Sequence, residues 1–296
     1  MKGTFTMPSV LRLMRISQYT KNIFVFFPLF FSANLFNLSL LTNSCIMFIS
    51  FCFVASSIYI LNDIRDVEED RNHPTKCMRP IASGEVRPRV AVLFSACLFI
   101  ISFTIAYSLS IPCAMVILTY FSLNIFYVYF AKNYAIIDIA CISIGFVLRT
   151  IAGSFAIDHS LSHWLTLMVF LLCMFLALGK RWDDMCLEKN EQTTGKIRDS
   201  IKSYSRPFIL ASMTFLSTIN TVCYILYTII PSNTYYALPE LLYTTSLWVI
   251  LGNMRYLQIA FVDEKSASPT RIFLYDRGIQ SCVCLWTIHL IVLLYV

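Results

Sequence analysis

The stretch CIMFISFCFVASSIYILNDIRDVEEDR, residues 45–71, runs from a long apolar segment into a knot of charge with no Gly or Pro between them. At about 1.5 Å per helical residue, Cys45–Ile64 is long enough to cross the hydrocarbon core of a bilayer as one helix. If the helix continues, Asp63, Asp66 and Asp70 share a face at i, i+3 and i+7, and Asn62 and Asp66 stand one turn apart. This end of the helix already carries the negative pole of its dipole, so each carboxylate there costs a few tenths of a kcal/mol, roughly, and capping does not explain them. A divalent cation does, because carboxylates and an amide oxygen are the hard ligands that magnesium takes beside waters and substrate phosphates. The competing account is a solvated face paired with Arg65 and Arg71.

The apolar pattern extends along the chain. Of 296 residues, 57% are hydrophobic and 14% charged, too apolar for a domain that presents a charged surface to water. Apolar stretches run over Asn22–Leu41, Cys45–Ile64, Val90–Leu109, Pro112–Ala131, Ile136–Ile157, Leu161–Gly179, Pro207–Ile230, Leu238–Phe261 and Gly278–Val296, so about nine spanning helices are expected. With no alternating strand pattern, and with backbone groups in lipid needing partners within their own segment, the expected fold is an all-α integral membrane bundle. No repeat or low-complexity linker interrupts it, so residues 1–296 read as a single transmembrane domain with motif loops at 62–89 and 180–206. The basic, mixed start from Lys2 to Lys21 does not resemble a cleavable signal peptide.

If the N-terminus is cytoplasmic, the loops on that side carry Lys2, Arg12, Arg15 and Lys21, then Arg65 to Arg89, Lys132, Lys180 to Arg206, and Arg255 to Arg277. The opposite loops hold no Lys or Arg. This partition follows the positive-inside bias, supports both count and orientation, and accounts for the net charge of +6 without nucleic acid as a partner. The 11 cysteines lack paired metal or redox spacing and read as small core- or lipid-facing residues.

Beyond the acidic cluster, His73 to Gly84 form a Pro- and Gly-bearing loop in which Lys76 and Arg79 are placed to hold phosphate oxygens, or to act as ordinary positive-inside anchors. A second polar block, Lys180-Arg181-Trp182-Asp183-Asp184-Met185-Cys186-Leu187-Glu188, puts Asp184 one turn from both Lys180 and Glu188. It suits a site with metal ligands and phosphate clamps, and a salt-bridged juxtamembrane helix equally well. Arg149 is the one cation deep in a span; it either pairs with Asp138, about three turns earlier on nearly the same face, or meets a substrate phosphate.

Asn62, Asp63, Asp66 and Asp70 match the NDxxDxxxD motif of the UbiA superfamily of membrane prenyltransferases, which this chain resembles. The longer NDIRDVEEDRNHPTKCMRPIASGEV, the Gln18–Asn22 and Phe26–Leu29 stretches, Phe146–Gly153 and Ala177–Arg181 look like the decaprenyl-phosphate phosphoribosyltransferase branch. The resemblance implies about nine helices around a central cavity, with the diphosphate site at the cytoplasmic mouth, in a bacterial-type inner membrane. It implies Mg2+-dependent transfer of 5-phosphoribose from phosphoribosyl diphosphate to a polyprenyl phosphate. Carried over by motif, Asn62, Asp63, Asp66 and Asp70 bind the metal and diphosphate, Asp63, Asp66 and Asp70 being the catalytic acids. Arg65, Lys76, Arg79, Lys180 and Arg181 contact the substrates, and Asp184 and Glu188 are further metal candidates. Prenyl-diphosphate-using members show a fuller second DxxxD-type motif than Lys180–Asp184, which favours the sugar-phosphate donor.

In that reading the lipid phosphate is already anionic and needs no general base, in keeping with a chain that has only 4 His and no Ser-His-Asp constellation. The prenyl tail would lie between helices, with Lys21 and Asn22 at the headgroup. The competing enzyme reading is prenyl transfer to an aromatic acceptor. A transporter is disfavoured because the charges crowd at one face instead of spreading through the midplane.

Overall fold

The computed structural model of the chain describes residues 7–189, 203–229, 238–263 and 269–295, and every regular element among them is helical. A short helix α1 (Met7–Met14) and a 3-10 segment (Ile16–Phe26) lead into α2 (Phe27–Phe31). Next come α3 (Leu38–Arg65), α4 (Val67–Arg71), α5 (Pro88–Leu109), α6 (Ile111–Tyr129), α7 (Ile137–Ala156) and α8 (His163–Lys189). The chain ends with α9 (Arg206–Ile229), α10 (Ser246–Phe261), α11 (Pro269–Tyr275) and α12 (Arg277–Tyr295).

Among the described residues, 7 helices (α3, α5, α6, α7, α8, α9 and α12) are long and apolar enough to cross a membrane. Two of the about nine expected stretches are not among these continuous helices. Stretch 22–41 is 3-10 helix to Phe26, then α2, then a turn with Ala33 at φ 58°. Stretch 238–261 opens as a 3-10 helix over Pro239–Thr245 and leaves 16 residues of α10. Pro28 and Pro239 each lack a backbone donor, and broken helix is tolerated at depth where protein covers it. Asn22, Val25, Pro28 and Leu29 are indeed buried.

Successive helices pack as neighbours from α5 to α9, α3 packs on α5, and α10 packs on α12. Tyr295 Oη donates to the Phe30 carbonyl at 2.8 Å and ties the last helix to the first segment. Apolar contact gains little in lipid, so small residues and interhelical hydrogen bonds hold the close pairs. Between α3 and α5, Ser50 and Ser102 each donate to the other's carbonyl at 2.8 Å, and the Ser57 and Ser95 hydroxyls meet at 2.9 Å.

The 3-10 segment lies against α3 and α7, and Gly153 permits its approach. A Cβ there would stand 1.9 Å from the Val25 carbonyl oxygen, whereas one at Gly179 would meet the Tyr256 hydroxyl at 2.3 Å. Backbone cannot swing aside, but a phenol can. Gly153→Ala is thus expected to destabilise the protein by about 1–3 kcal/mol or more, and Gly179→Ala by distinctly less. Thermal unfolding in one detergent checks this, and equal shifts in Tm would remove the explanation.

Candidate active site

Helix α3 does not continue through the acidic cluster. It ends at Arg65, and Asp66 (φ −90°, ψ 11°) joins it to α4. The three carboxylates expected on one face take different partners. Asp63 and Asp70, 2% and 3% exposed, converge on Nη1 of Arg79 at 3.1 and 2.5 Å. Asp66 instead accepts from Asn62 Nδ2 at 3.1 Å and from Lys132 Nζ at 2.7 Å, so it is turned toward the α6–α7 connection. Asp63 also receives Arg15 Nη2. Arg15 holds a left-handed backbone (φ 52°, ψ 51°) that costs a non-glycine residue about 1–2 kcal/mol. Glu68 and Glu69 are exposed, whereas the motif acids Asp63 and Asp70 are buried and Asp66 is half-buried.

The loop that follows delivers Arg79 and closes with Gly84 at φ +80°. Glu85 pins this loop to α1, accepting from Ser9 Oγ at 2.7 Å and from Arg12, whose hydrogen bond holds the Glu85 carboxyl below the usual range. Of the other expected phosphate contacts, Arg65 is directed away from the cluster. Lys76 is exposed and its backbone N–H meets His73 Nδ1 at 3.4 Å. Arg65 turns to α6, donating to the Tyr129 carbonyl at 3.3 Å with its guanidinium 4.9 Å from that ring, because its position on α3 faces away from Asp63.

The second block folds inward. Lys180 is exposed, but Arg181 is 2% exposed and binds Asp138 Oδ2 through Nε at 2.9 Å and Nη2 at 2.8 Å. Asp184 accepts from Arg181 Nη1 at 3.2 Å, and Asp183 is buried. The side chain of Glu188 lies outside the described residues. Tyr204 completes the node by donating to Asp138 Oδ1 at 2.8 Å and accepting the Ile136 N–H at 2.7 Å. That last bond holds a β-branched residue at φ 68°, a strain of about 1–3 kcal/mol. Of the two readings of Arg149, the pairing with Asp138 is therefore absent, since Asp138 at the start of α7 is already claimed by α8 and the segment before α9.

Arg149, 4% exposed, donates through Nε to Asn22 Oδ1 at 2.8 Å, through Nη1 to the Gly145 carbonyl at 2.8 Å and through Nη2 to Tyr120 Oη at 2.7 Å. Its guanidinium carbon lies 4.7, 5.0 and 5.7 Å from the rings of Tyr120, Phe146 and Phe51. Asn22 in turn donates to Cys52 Sγ of α3 at 3.3 Å. Lys21 is solvent-accessible, yet the protein around it, with Arg149 and Arg15, lowers its pKa to about 8. An apolar cavity of about 290 Å³ is walled by Phe27, Phe31, Phe175, Tyr224, Trp248 and Trp286. No acidic residue lines it.

Among the described residues, no three His, Cys, Asp or Glu side chains surround a common point. Two buried carboxylates nevertheless aim at one position that the Arg79 cation fills. Those donors suit magnesium, which ordinarily completes its shell with waters and phosphate oxygens. Sequence reading passed over Arg15 and Lys132 as ordinary positive-inside charges, and Asp138 and Tyr204 as partners of Arg181. Only their long-range contacts distinguish them.

The architecture and motif have counterparts. A family model described as the UbiA prenyltransferase family matches residues 23–274. The decaprenyl-phosphate phosphoribosyltransferase of Corynebacterium glutamicum is 31% identical across 97% of this chain and 87% of its own length. A protein of the same name from Mycolicibacterium smegmatis is 40% identical over 60% of this chain and 56% of its own. The structure of a UbiA homolog from Archaeoglobus fulgidus bound to GPP and Mg2+ superposes with a TM-score of 0.72 over 96% of this chain and 98% of that one. At 17% identity, that likeness is one of fold. With the motif acids buried at the end of α3, a helical membrane fold and a family match over most of its length, the chain belongs to the UbiA prenyltransferase family and is a multi-pass membrane transferase.

Proposed function

We propose that the chain transfers 5-phosphoribose from phosphoribosyl diphosphate to a decaprenyl-like polyprenyl phosphate and releases diphosphate. The convergence of buried Asp63 and Asp70 on one cationic nitrogen carries this reading, because it is a ready-made place for a divalent ion beside phosphate-binding arginines. The names of the two curated relatives supply the substrates. In this reading residues 1–296 act as one membrane domain, in a bacterial-type inner membrane, with N-terminus and site cytoplasmic. The basic side of the partition supports that orientation.

Asp63 and Asp70, with Asn62 and Asp66 beside them, would hold Mg2+, which when bound supplies charge neutralisation to the leaving diphosphate. Arg15 and Arg79, already oriented by those carboxylates, donate to phosphate oxygens. Lys180 lies on the neighbouring block at the same end, and Arg181 orients Asp138 and Asp184 behind it. The bond from ribose C1 to the diphosphate oxygen breaks, the electron pair leaves with the diphosphate, and a lipid phosphate oxygen forms the new bond to C1. The nucleophile is anionic, so no proton need be removed. The apolar cavity offers room for part of the prenyl tail.

Membranes holding the chain, given labelled phosphoribosyl diphosphate, polyprenyl phosphate and Mg2+, are expected to form a labelled lipid that mass spectrometry identifies as a polyprenyl phosphoribosyl phosphate. If they instead join a prenyl group to an aromatic acceptor and leave the lipid unlabelled, the reading is wrong.

A further inference from the structure

At the acidic cluster charge is balanced. Asp63, Asp66 and Asp70 are matched by Arg15, Arg79 and Lys132. Deeper in the bundle it is not. Among the described residues neither Arg149 nor Lys21 forms an ion pair with any carboxylate, although Arg149 is 4% exposed. Its hydrogen-bond partners are an amide, a carbonyl and a phenol, which satisfy donors without cancelling charge. Burying an uncompensated ion costs several kcal/mol even after relaxation, roughly, against about 0.5–2 kcal/mol for each aromatic face. The rings offset only part of that cost. Two of the five guanidinium N–H groups also remain beyond the three bonds described.

We infer that Lys21, Asn22 and Arg149 form a second anion site, distinct from the carboxylate cluster, that takes a phosphate monoester. Such a group carries a charge of about −1.5 to −2 near pH 7, which matches the two unpaired cations. Lys21 is solvent-accessible and next to Asn22 in the chain, and Tyr120 and Phe146 wall Arg149. Asn22 aligns Arg149 from the opposite segment. Along α3, Cys52, the partner of Asn22, is eleven residues from Asp63, an axial separation of about 16 Å between backbones that long side chains shorten. The Arg149 node and the carboxylate cluster are thus centred on different turns of α3. The titratable or charged groups gathered round it are Arg15, Tyr19, Cys52, Tyr59, Tyr120 and Cys173, none of them a carboxylate. Two molecules of the proposed reaction bring a phosphate monoester, namely the acceptor lipid and the 5-phosphate of the donor.

The choice of probes rests on the phosphoribosyl-transfer reading. The full chain in nanodiscs is titrated with geranyl phosphate, phosphoribosyl diphosphate and inorganic diphosphate plus Mg2+, as wild type, Lys21→Gln and Arg149→Lys. We expect both variants to bind one of the first two probes at least tenfold more weakly, with diphosphate changed less than twofold. Loss confined to geranyl phosphate assigns the site to the acceptor, and loss confined to phosphoribosyl diphosphate assigns it to the donor. Wild-type affinity for that probe should also fall as pH rises through about 8, where Lys21 loses its proton, and Lys21→Gln should abolish that dependence. Folded variants, with unchanged Tm, that bind both monoester probes within twofold of wild type overturn the inference. Failure of the labelled-lipid assay with these affinities still lost would instead discard the reaction and keep the site.

Discussion

Replacing Asp70 by Asn is expected to lower transfer by about 10²-fold or more, the scale of losing a group that stabilises charge developing on a leaving group. The protein should remain folded and extractable. Asp70 is buried and its Oδ2 lies 2.5 Å from Arg79, which also touches Asp63. The substitution removes one of two anionic donors from the shared position and leaves the side chain's shape. Exposed Glu68, two residues away, supplies the control, and Glu68→Gln should stay within about twofold if position and not bulk charge matters. The assay is labelled-lipid formation with Mg2+ as the sole divalent ion. Full activity in Asp70→Asn would discard the metal assignment.

The largest stability effect is expected at Asp138 and Arg181. Their side chains are 0% and 3% exposed and are joined at 2.8 Å, with Tyr204 as a third member. Removing one member of a buried pair strands the other, at a cost of about 3–5 kcal/mol, whereas replacing both by apolar residues of similar size is often close to neutral. Arg181→Met should therefore unfold far more readily than wild type, and Asp138→Leu with Arg181→Met should recover much of the loss. Thermal unfolding of the single and double variants measures the coupling. Strictly additive losses would show that the pair is not what joins α7 to α8 at this point. Because the node also receives Tyr204 and positions Asp184, the double variant is expected to stay partly impaired in transfer even where stability returns.

Much of this molecule is legible in one dimension. Apolar runs report helices because a bilayer demands about twenty residues per crossing. The spacing of Asn62, Asp63, Asp66 and Asp70 marks a candidate site because carboxylates at a negative helix end need an outside reason. The seven long helices, with the acids buried at the end of α3, follow directly. Less legible were the two broken stretches, where hydropathy sees apolar content and not hydrogen-bond pattern. Arg15 and Lys132 were read only as topological charges, since a positive loop residue looks the same whether it faces water or Asp63.

The membrane class, the positions of the apolar segments and the acidic motif after the second of them were legible in local composition and spacing, because lipid penalises every unpaired backbone group and every misplaced charge. Which cation meets which carboxylate was settled only in three dimensions. Arg181 reaches Asp138, Arg79 gathers Asp63 and Asp70, and Arg149 is left to Asn22 and Tyr120. Pairing depends on which helices touch and how deeply their side chains are buried, and a linear order of residues contains neither quantity.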